Sequence, residues 1–484
     1  MKKLLSIVLV LCLLLTGCLA FSSCAKVKPK DVEKDAQAVL SEAMKNTTSE
    51  FFSDDAGLEK VINSAFKGGS VTVSFEGDKD LLGEDIKINE TLYFNRKDQK
   101  YVSDTSVTLG EDTLSARVFL DKNGLAVNSA SVLGSNKTLA INFATLASGF
   151  ETSALKDMVA AEGAEDEDIA QIVQLLGVLK AEYEALFAED AEEKFKADIN
   201  AYYALMNQTV SSETITGANG KDVTCVVVSY TLTNNAMKAI FDKMLADMDL
   251  TGDLKTETKA AVDEMMEELN SSVSFNLVAK TYINGKTNKV EKETVNGTVA
   301  VLEENTTGTI ALEVVYGATE IKATLKLDAA EEKLEADATL TKEEKNGEVI
   351  YKLVVNGGDG KGATVNALNA TYTYTKKTGA FVLAADVYSE GDERETFTVN
   401  GSIVANKNDA KIEITSVKTN DDTFDFKFSI TFNKSADIPQ LPADAKDIVT
   451  LTESEWEDIV KDIMENSKLA EIMGDEDGLL PEII

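Results

Sequence analysis

Apolar and polar positions alternate with a period of two along most of this chain, and the places where the period changes to three or four divide it into segments. An apolar run spans Leu4 to Leu15. Behind Asp31, suited to N-capping, Val32, Ala36, Val39, Leu40, Ala43 and Met44 recur at helical spacing and predict an opening amphipathic helix. Leu58, Val61, Ile62 and Phe66 predict a second, stopped by Gly68-Gly69. Strands are then expected at Val71 to Phe75, at Ile86 and Ile88, and over Glu90–Asn95, Gln99–Thr108, Thr113–Asp121, Gly124–Asn128 and Lys137–Asn142, with a hairpin turn at Lys122-Asn123-Gly124.

Helical spacing returns between about Phe143 and Gln208. Ile169, Ile172, Val173, Leu176, Leu179, Tyr183 and Phe187 form one stripe, and Phe195, Ile199, Tyr202 and Met206 another. A strand from Asp222 to Thr233 leads into a helix whose face carries Met237, Ile240, Phe241, Met244, Leu245 and Met248, and a further helix follows with Val262, Met265, Met266 and Leu269. From Ser272 to Phe432 alternation dominates, as in Val273, Phe275, Leu277 and Ala279, in Leu334, Ala336, Ala338 and Leu340, and in Phe381, Leu383, Ala385 and Val387. Phe424, Phe426, Phe428, Ile430 and Phe432 put five large apolar groups on one strand face. Turn signals at Asn284-Gly285, Asn346-Gly347, Lys377-Thr378-Gly379, Glu390-Gly391-Asp392 and Asn420-Asp421-Asp422 cut this region into hairpins. No proline lies between Lys30 and Ile438, and Trp456, Ile459, Val460, Ile463 and Met464 predict a last helix after Thr452.

The pattern defines an α+β, β-rich protein: a large curved antiparallel meander with amphipathic helices inserted and packed on one face. Val295-Asn296-Gly297-Thr298-Val299 and Val399-Asn400-Gly401-Ser402-Ile403 are alike and hint at a repeated sheet unit. Gly357-Gly358-Asp359-Gly360-Lys361-Gly362 is followed by Ala363 rather than the Ser or Thr of a phosphate loop, and reads as a hairpin turn.

Composition narrows the chemistry. The chain has no histidine, which removes the usual general base, the Ser-His and Cys-His pairs and the commonest zinc ligand. Of four cysteines, Cys12, Cys18 and Cys24 are N-terminal; Cys225 lies in a strand-like run and reads as a buried inert thiol. A net charge of −35, or −37 once Lys2 and Lys3 are removed, makes nucleic acid and anionic lipid headgroups poor partners. Between Glu151 and Asp198, 14 acids and 4 lysines read as a solvated face.

Asp247-Met248-Asp249-Leu250-Thr251-Gly252-Asp253-Leu254 resembles the opening of an EF-hand loop, so Asp247, Asp249 and Asp253 are candidate calcium ligands. The twelfth position, however, is Thr258 instead of a bidentate glutamate, and Glu257 is out of register, which favours a polar interhelical turn and no metal. Met237, Phe241, Met244, Met248, Met265 and Met266 are the candidate ligand-facing residues, because flexible methionines suit irregular apolar ligands; ordinary core packing is the competing reading.

Lys2-Lys3, the 12-residue apolar run and Leu15-Thr16-Gly17-Cys18 resemble the export signal and lipobox of bacterial lipoproteins. That resemblance implies diacylglycerol on the Cys18 sulfur and cleavage before Cys18, with residues 1–17 as signal peptide and 18–30, holding Pro29, as a short tether. Alternatives are Cys24 after Phe21-Ser22-Ser23, ordinary cleavage near Ala20-Phe21-Ser22, or an uncleaved anchor from Leu4 to Phe21. All four place the body outside the cell, and lipidation places it at the outer face of the cytoplasmic membrane, with the membrane as partner through the anchor.

The opening helix, the long meander with inserted helices and the phrase from Thr281 to Val290 resemble the LolA/LppX-like lipoproteins and carriers, and uncharacterised Gram-positive surface lipoproteins. The resemblance implies a half-barrel whose concave face receives lipid. It divides the chain into a unit over 31–303, with a helical insertion at about 143–208 and helices at about 234–270, a β extension over 304–440, and a C-terminal helix and tail over 441–484. The expected function is non-enzymatic binding of a lipid or other apolar ligand between sheet and helices, without cofactor. The alternative is a structural or interaction lipoprotein with no ligand cavity; a carboxylate-only glycosidase has no supporting spacing.

One outcome follows from the lipobox alone. Metabolic labelling with a radioactive fatty acid is expected to mark the wild-type chain and the Cys24→Ser variant equally, and Cys18→Ser not at all; label retained by Cys18→Ser and lost from Cys24→Ser would move the anchor to Cys24.

Overall fold

The computed structural model describes residues 35–52, 58–77, 85–161, 163–188, 191–248, 252–302, 305–329, 332–358, 364–389, 394–420, 422–424 and 427–467. The signal and tether, Cys18, Cys24, Asp31, Asp249, Phe426 and the Glu390-Gly391-Asp392 turn lie outside the described residues. The first elements are helices α1 (Ala36–Phe51) and α2 (Leu58–Gly68), then β1 (Ser70–Gly77), β2 (Ile86–Asn95), β3 (Lys100–Leu109), β4 (Asp112–Asp121) and β5 (Gly124–Asn128). Short α3 (Ala130–Leu133) and β6 (Thr138–Asn142) precede α4 (Leu146–Phe150), α5 (Ala154–Ala161), α6 (Asp166–Leu186) and α7 (Ala191–Ala204). Next come β7 (Thr209–Thr216), β8 (Asp222–Thr233), α8 (Asn234–Asp247), α9 (Gly252–Ser272), β9 (Val273–Asn284), β10 (Val290–Val301), β11 (Thr306–Tyr316) and β12 (Glu320–Ala329). Strands β13 (Glu332–Lys345), β14 (Glu348–Gly358), β15 (Thr364–Thr375), β16 (Ala380–Ser389), β17 (Glu395–Ala405), β18 (Asp409–Lys418), β19 (Thr423–Phe424), β20 (Lys427–Asn433) and β21 (Lys446–Asp447) lead to α10 (Glu453–Asn466). The described residues thus form a β-rich α+β protein of 21 strands, antiparallel in every described ladder except the short pairing of β21 with β6.

The described residues form two compact units, each discontinuous in sequence: one draws on those within 35–52, 191–377 and 382–398, the other on those within 58–188, 378–381 and 399–467. In the first unit an uninterrupted antiparallel ladder runs β7-β8-β9-β10-β11-β12-β13-β14-β15. Its core joins Leu40 and Ala43 of α1 and Tyr203 near the end of α7 to Val226, Val228, Tyr230 and Leu232 of β8 and Phe275, Leu277 and Ile283 of β9. Asp35 caps α1 by accepting the Ala38 N–H at 3.0 Å. In the second stripe it is Tyr203, 6% exposed, that enters the core, while the Tyr202 hydroxyl donates to Asp247. The Phe195 side chain lies outside the description. Asn346 and Gly347, at φ +57° and +84°, join β13 to β14 in the two-residue hairpin that Asn-Gly predicts.

The second unit shows what local pattern does not reveal. β20 returns from far along the chain to pair with β1, Val71 against Phe432, so the ladder runs β18-β20-β1-β2-β3-β4-β5-β6. The runs expected separately at Ile86–Ile88 and Glu90–Asn95 are one strand, β2. Of the expected Phe424–Phe432 strand, Phe424 pairs with Val417 in β19 and Lys427 to Phe432 lie in β20, with Phe426 outside the described residues. In α6, Ile169 and Tyr183 are buried but Leu179 is 47% exposed, because at roughly 100° per residue it lies at the edge of the stripe, about 80° round the helix from Ile169.

Gly297 and Gly401, the centres of the two similar phrases, share a physical role in their separate units. A Cβ on Gly297 would lie 2.0 Å from the Asn276 carbonyl oxygen, and one on Gly401 2.2 Å from that of Glu413. Close backbone approach therefore requires glycine at both. Gly297→Ala and Gly401→Ala are each expected to lower stability by about 1–3 kcal/mol in urea unfolding, as overpacking does; an unchanged midpoint would show that the strands part without cost.

Candidate functional site

The apolar face of the first unit is where the sequence places a ligand, and register shows how it is built. One cross-strand row runs Val228, Thr281, Glu293, Val314, Ala323, Ala338, Val355 and Leu368 across eight strands, β8 to β15. Its neighbours carry Tyr230, Ala279, Val295, Leu312, Leu325 and Ala336 on one side and Ile321, Leu340, Leu353 and Ala370 on the other. The period of two sends Lys322, Lys326, Lys333, Glu335 and Asp337 to the opposite face, where Lys326 meets Glu335 at 3.1 Å and Lys333 meets Asp328 at 2.7 Å.

Helices close over part of this face. Asn46 of α1 donates to the Asn288 carbonyl at 3.0 Å, and the Thr47 hydroxyl accepts the Val290 N–H at 2.8 Å. At the end of α1, Phe51 and Phe52 pack on Tyr351 with ring centroids 5.9 and 5.5 Å away. Under α1 and α7 there remains a cavity of about 40 Å³, lined by Leu40, Tyr203, Tyr230, Lys280, Glu293 and Leu312 among others. It is far smaller than the several hundred Å³ of an ordinary ligand pocket. Farther along the ladder, Ile321, Ala323, Leu325, Leu327, Leu334, Ala336, Ala338, Leu340, Leu353, Val355, Leu368 and Ala370 are half-buried. Along β12 they run from Ile321 to Leu327, about 20 Å at the usual rise per strand residue.

Glu293 interrupts the apolar row with a carboxyl. The Tyr316 hydroxyl donates to its Oε2 at 2.6 Å and the Thr281 hydroxyl to its Oε1 at 3.4 Å. Burial pushes this carboxyl above the ordinary carboxylate range, against the two hydroxyls, which favour the ionised form. Burial, and next the facing Glu293 charge, pushes the Tyr316 phenol up as well. Sequence reasoning missed Glu293, because Glu291 precedes it in the same phase of the alternation and only the irregularity between Val290 and Lys292 and the pairing with Thr281 turn Glu293 inward.

The six candidate ligand-facing residues do not converge. Met266 is buried in its helix at 1% exposure, and Met237 packs against the core. Phe241 is half-buried, while Met244, Met248 and Met265 are 45%, 38% and 43% exposed. None lines either of the two cavities described here. In the EF-hand-like stretch, Asp247 ends α8 with its carboxylate held by Lys243 at 2.8 Å and by Tyr202 at 3.0 Å, and the Lys243 bond holds it below its ordinary pKa. Gly252 begins α9, so Asp253 and Thr258 are helical; the Asp253 side chain is outside the description. No cluster of three or more metal-ligating side chains occurs among the described residues. Cys225 is buried beside Val227 and Tyr282, and burial pushes its thiol up to about 11.

The second unit holds an open cleft of about 550 Å³ between α4–α5 and the 449–453 segment. Thr152, Ser153, Thr450 and Thr452 supply hydroxyls, Asp157 and Glu453 carboxylates, and Met158 and Leu451 apolar walls. A Cβ on Gly149 would meet the Val449 side chain at 2.6 Å, so glycine lets these segments approach. No aromatic ring is among the described residues that line the cleft. The cleft's rim is held by a capping box in which the Glu455 carboxylate accepts the Thr452 N–H at 3.0 Å and also takes Lys446.

No family model matches the chain, and no curated protein matches it. Among solved structures, it aligns with Pseudomonas aeruginosa OpdQ at a TM-score of 0.11 and 7% identity, covering 75% of this chain and 95% of that one. It aligns with the Escherichia coli outer membrane protease OmpT at a TM-score of 0.07 and 6% identity, covering 75% and 92%. Superpositions this poor carry no argument about fold or activity. No helix among the described residues is long and apolar enough to cross a membrane.

Lys446, foremost, and Thr452 pull the Glu455 carboxyl down to about 2. A folded pKa below the ordinary 4.5 contributes stability above that value and loses it as pH falls toward 2. Glu455→Gln is therefore expected to lower the thermal midpoint at pH 7, with the gap to wild type closing between pH 4.5 and about 2; a gap independent of pH would refute the role of this charge.

Proposed function

We propose that this protein is an extracytoplasmic lipoprotein, tethered through Cys18, that binds a lipid or other apolar ligand along the apolar face of a half-barrel-like sheet and catalyses no reaction. The observation that carries the reading is the half-buried apolar strip on β12 to β15, backed by a charged opposite face. The strip's roughly 20 Å length suits an extended acyl chain. Its place differs from the expected one: the ligand lies along the sheet past the helices, because the helix-covered part keeps a cavity of only about 40 Å³.

That small cavity also favours a second reading, an interaction lipoprotein whose strip receives a protein partner. Native mass spectrometry of the chain lacking residues 1–24, purified from cells, separates the two. A bound lipid is expected on wild type, retained by Val354→Asp on the outer face and lost from Val355→Asp on the strip. Absence of any bound lipid, with no shift in thermal midpoint on adding lipid, would replace the carrier reading with the interaction reading.

A further inference from the structure

We propose that Glu293 is a proton-operated lock that seats the N-terminal half of α1 on the sheet of its unit. The lock stands apart from the proposed ligand strip and does not depend on it. The carboxyl is fixed from the sheet side by Tyr316 at 2.6 Å and Thr281 at 3.4 Å. It lines the same cavity as Leu40, which is 1% exposed and belongs to α1. At about 40 Å³ that cavity has room for water, since one molecule needs only about 10–15 Å³ on this measure.

A neutral carboxyl is satisfied by one donor and one acceptor, accepting from the Tyr316 hydroxyl and giving its own proton to the Thr281 oxygen. An ionised one in an apolar wall requires further donors, and the shortest remedy is water drawn into the cavity beneath α1. The helix is linked to the opposite wall there: the Gln37 side-chain nitrogen donates to the Tyr230 hydroxyl at 3.0 Å, and the buried Gln37 Oε1 has no partner. Hydration therefore competes at the contact that pins the start of α1.

The titratable groups facing Glu293 across the cavity are Tyr230 from β8 and Tyr203 from α7, with Tyr316 from β11 bonded directly; α1 contributes Leu40, which does not titrate, and Lys280 of β9, between the inward Ala279 and Thr281, sends its side chain to the opposite face. The Lys280 ammonium is engaged by Glu213 at 3.2 Å. Burial raises the folded carboxyl above its ordinary 4.5. The stability it contributes is complete below 4.5 and is lost as pH rises through the raised folded value, so acid closes the lock and a less acid medium opens it.

Hydrogen exchange on the full chain between pH 5 and 8, corrected for the intrinsic chemical rate, tests the device. Wild-type protection at Gln37 to Ala43 is expected to fall with rising pH, by up to about tenfold for each pH unit separating the folded from the unfolded midpoint. Glu293→Gln is expected to show a flat profile. Tyr316→Phe removes a hydroxyl that favours ionisation and is expected to move the transition to higher pH. A Glu293→Gln profile that follows wild type, or protection lost across the whole unit at once, would overturn the lock. Should Glu293→Gln not fold, Tyr316→Phe decides alone: an unmoved transition overturns it.

Discussion

Cross-strand register in the first unit is the constraint on which its other properties rest. Because side chains alternate with a strict period of two, one pairing register aligns apolar residues across eight strands and sends the charges of β12 and β13 to the other side. A slip of one residue would reverse both faces. The same register turns Glu293 inward against the cavity it shares with Leu40 of α1, sets the half-buried strip farther along the ladder, and gives α1 and α7 an apolar surface to cover.

Helices on this sheet are held by polar anchors at the edges and apolar contacts in the middle. Asn46 and Thr47 bond the backbone at 288 and 290, Gln37 bonds Tyr230, and Leu40 fills the space between. Packing this close leaves a cavity of only about 40 Å³ among Leu40, Tyr203 and the sheet. The second unit reaches a different solution. Its open cleft sets hydroxyls and carboxylates beside the apolar walls of Met158 and Leu451, and glycine at 149 lets α4 approach Val449.

Local features were legible to the extent that their causes are local. The Asn346-Gly347 hairpin, the helix starting after Thr452 and the glycine stop at the end of α2 follow from φ preferences and capping chemistry within a few residues. Tyr202 against Tyr203 was not legible, because adjacent residues near a helix end both lie close to the apolar boundary and the sheet's position decides which enters. The methionine faces of α8 and α9 read as one apolar surface in sequence, yet Met266 is buried and Met265 exposed, since two helices can bury only the flank that meets the sheet or each other.

By itself the sequence determined the class of fold, most element positions, the absence of histidine chemistry and the lipobox-like Leu15-Thr16-Gly17-Cys18, because periodicity, composition and short motifs are properties of the chain alone. Tertiary structure decided that β20 pairs with β1, that the inward Glu293 carboxyl meets Tyr316, and that it shares a cavity of about 40 Å³ with Leu40 of α1. These depend on contacts between residues hundreds of positions apart, whose energies are set by register and packing volume and leave no mark on the local alternation of apolar and polar residues.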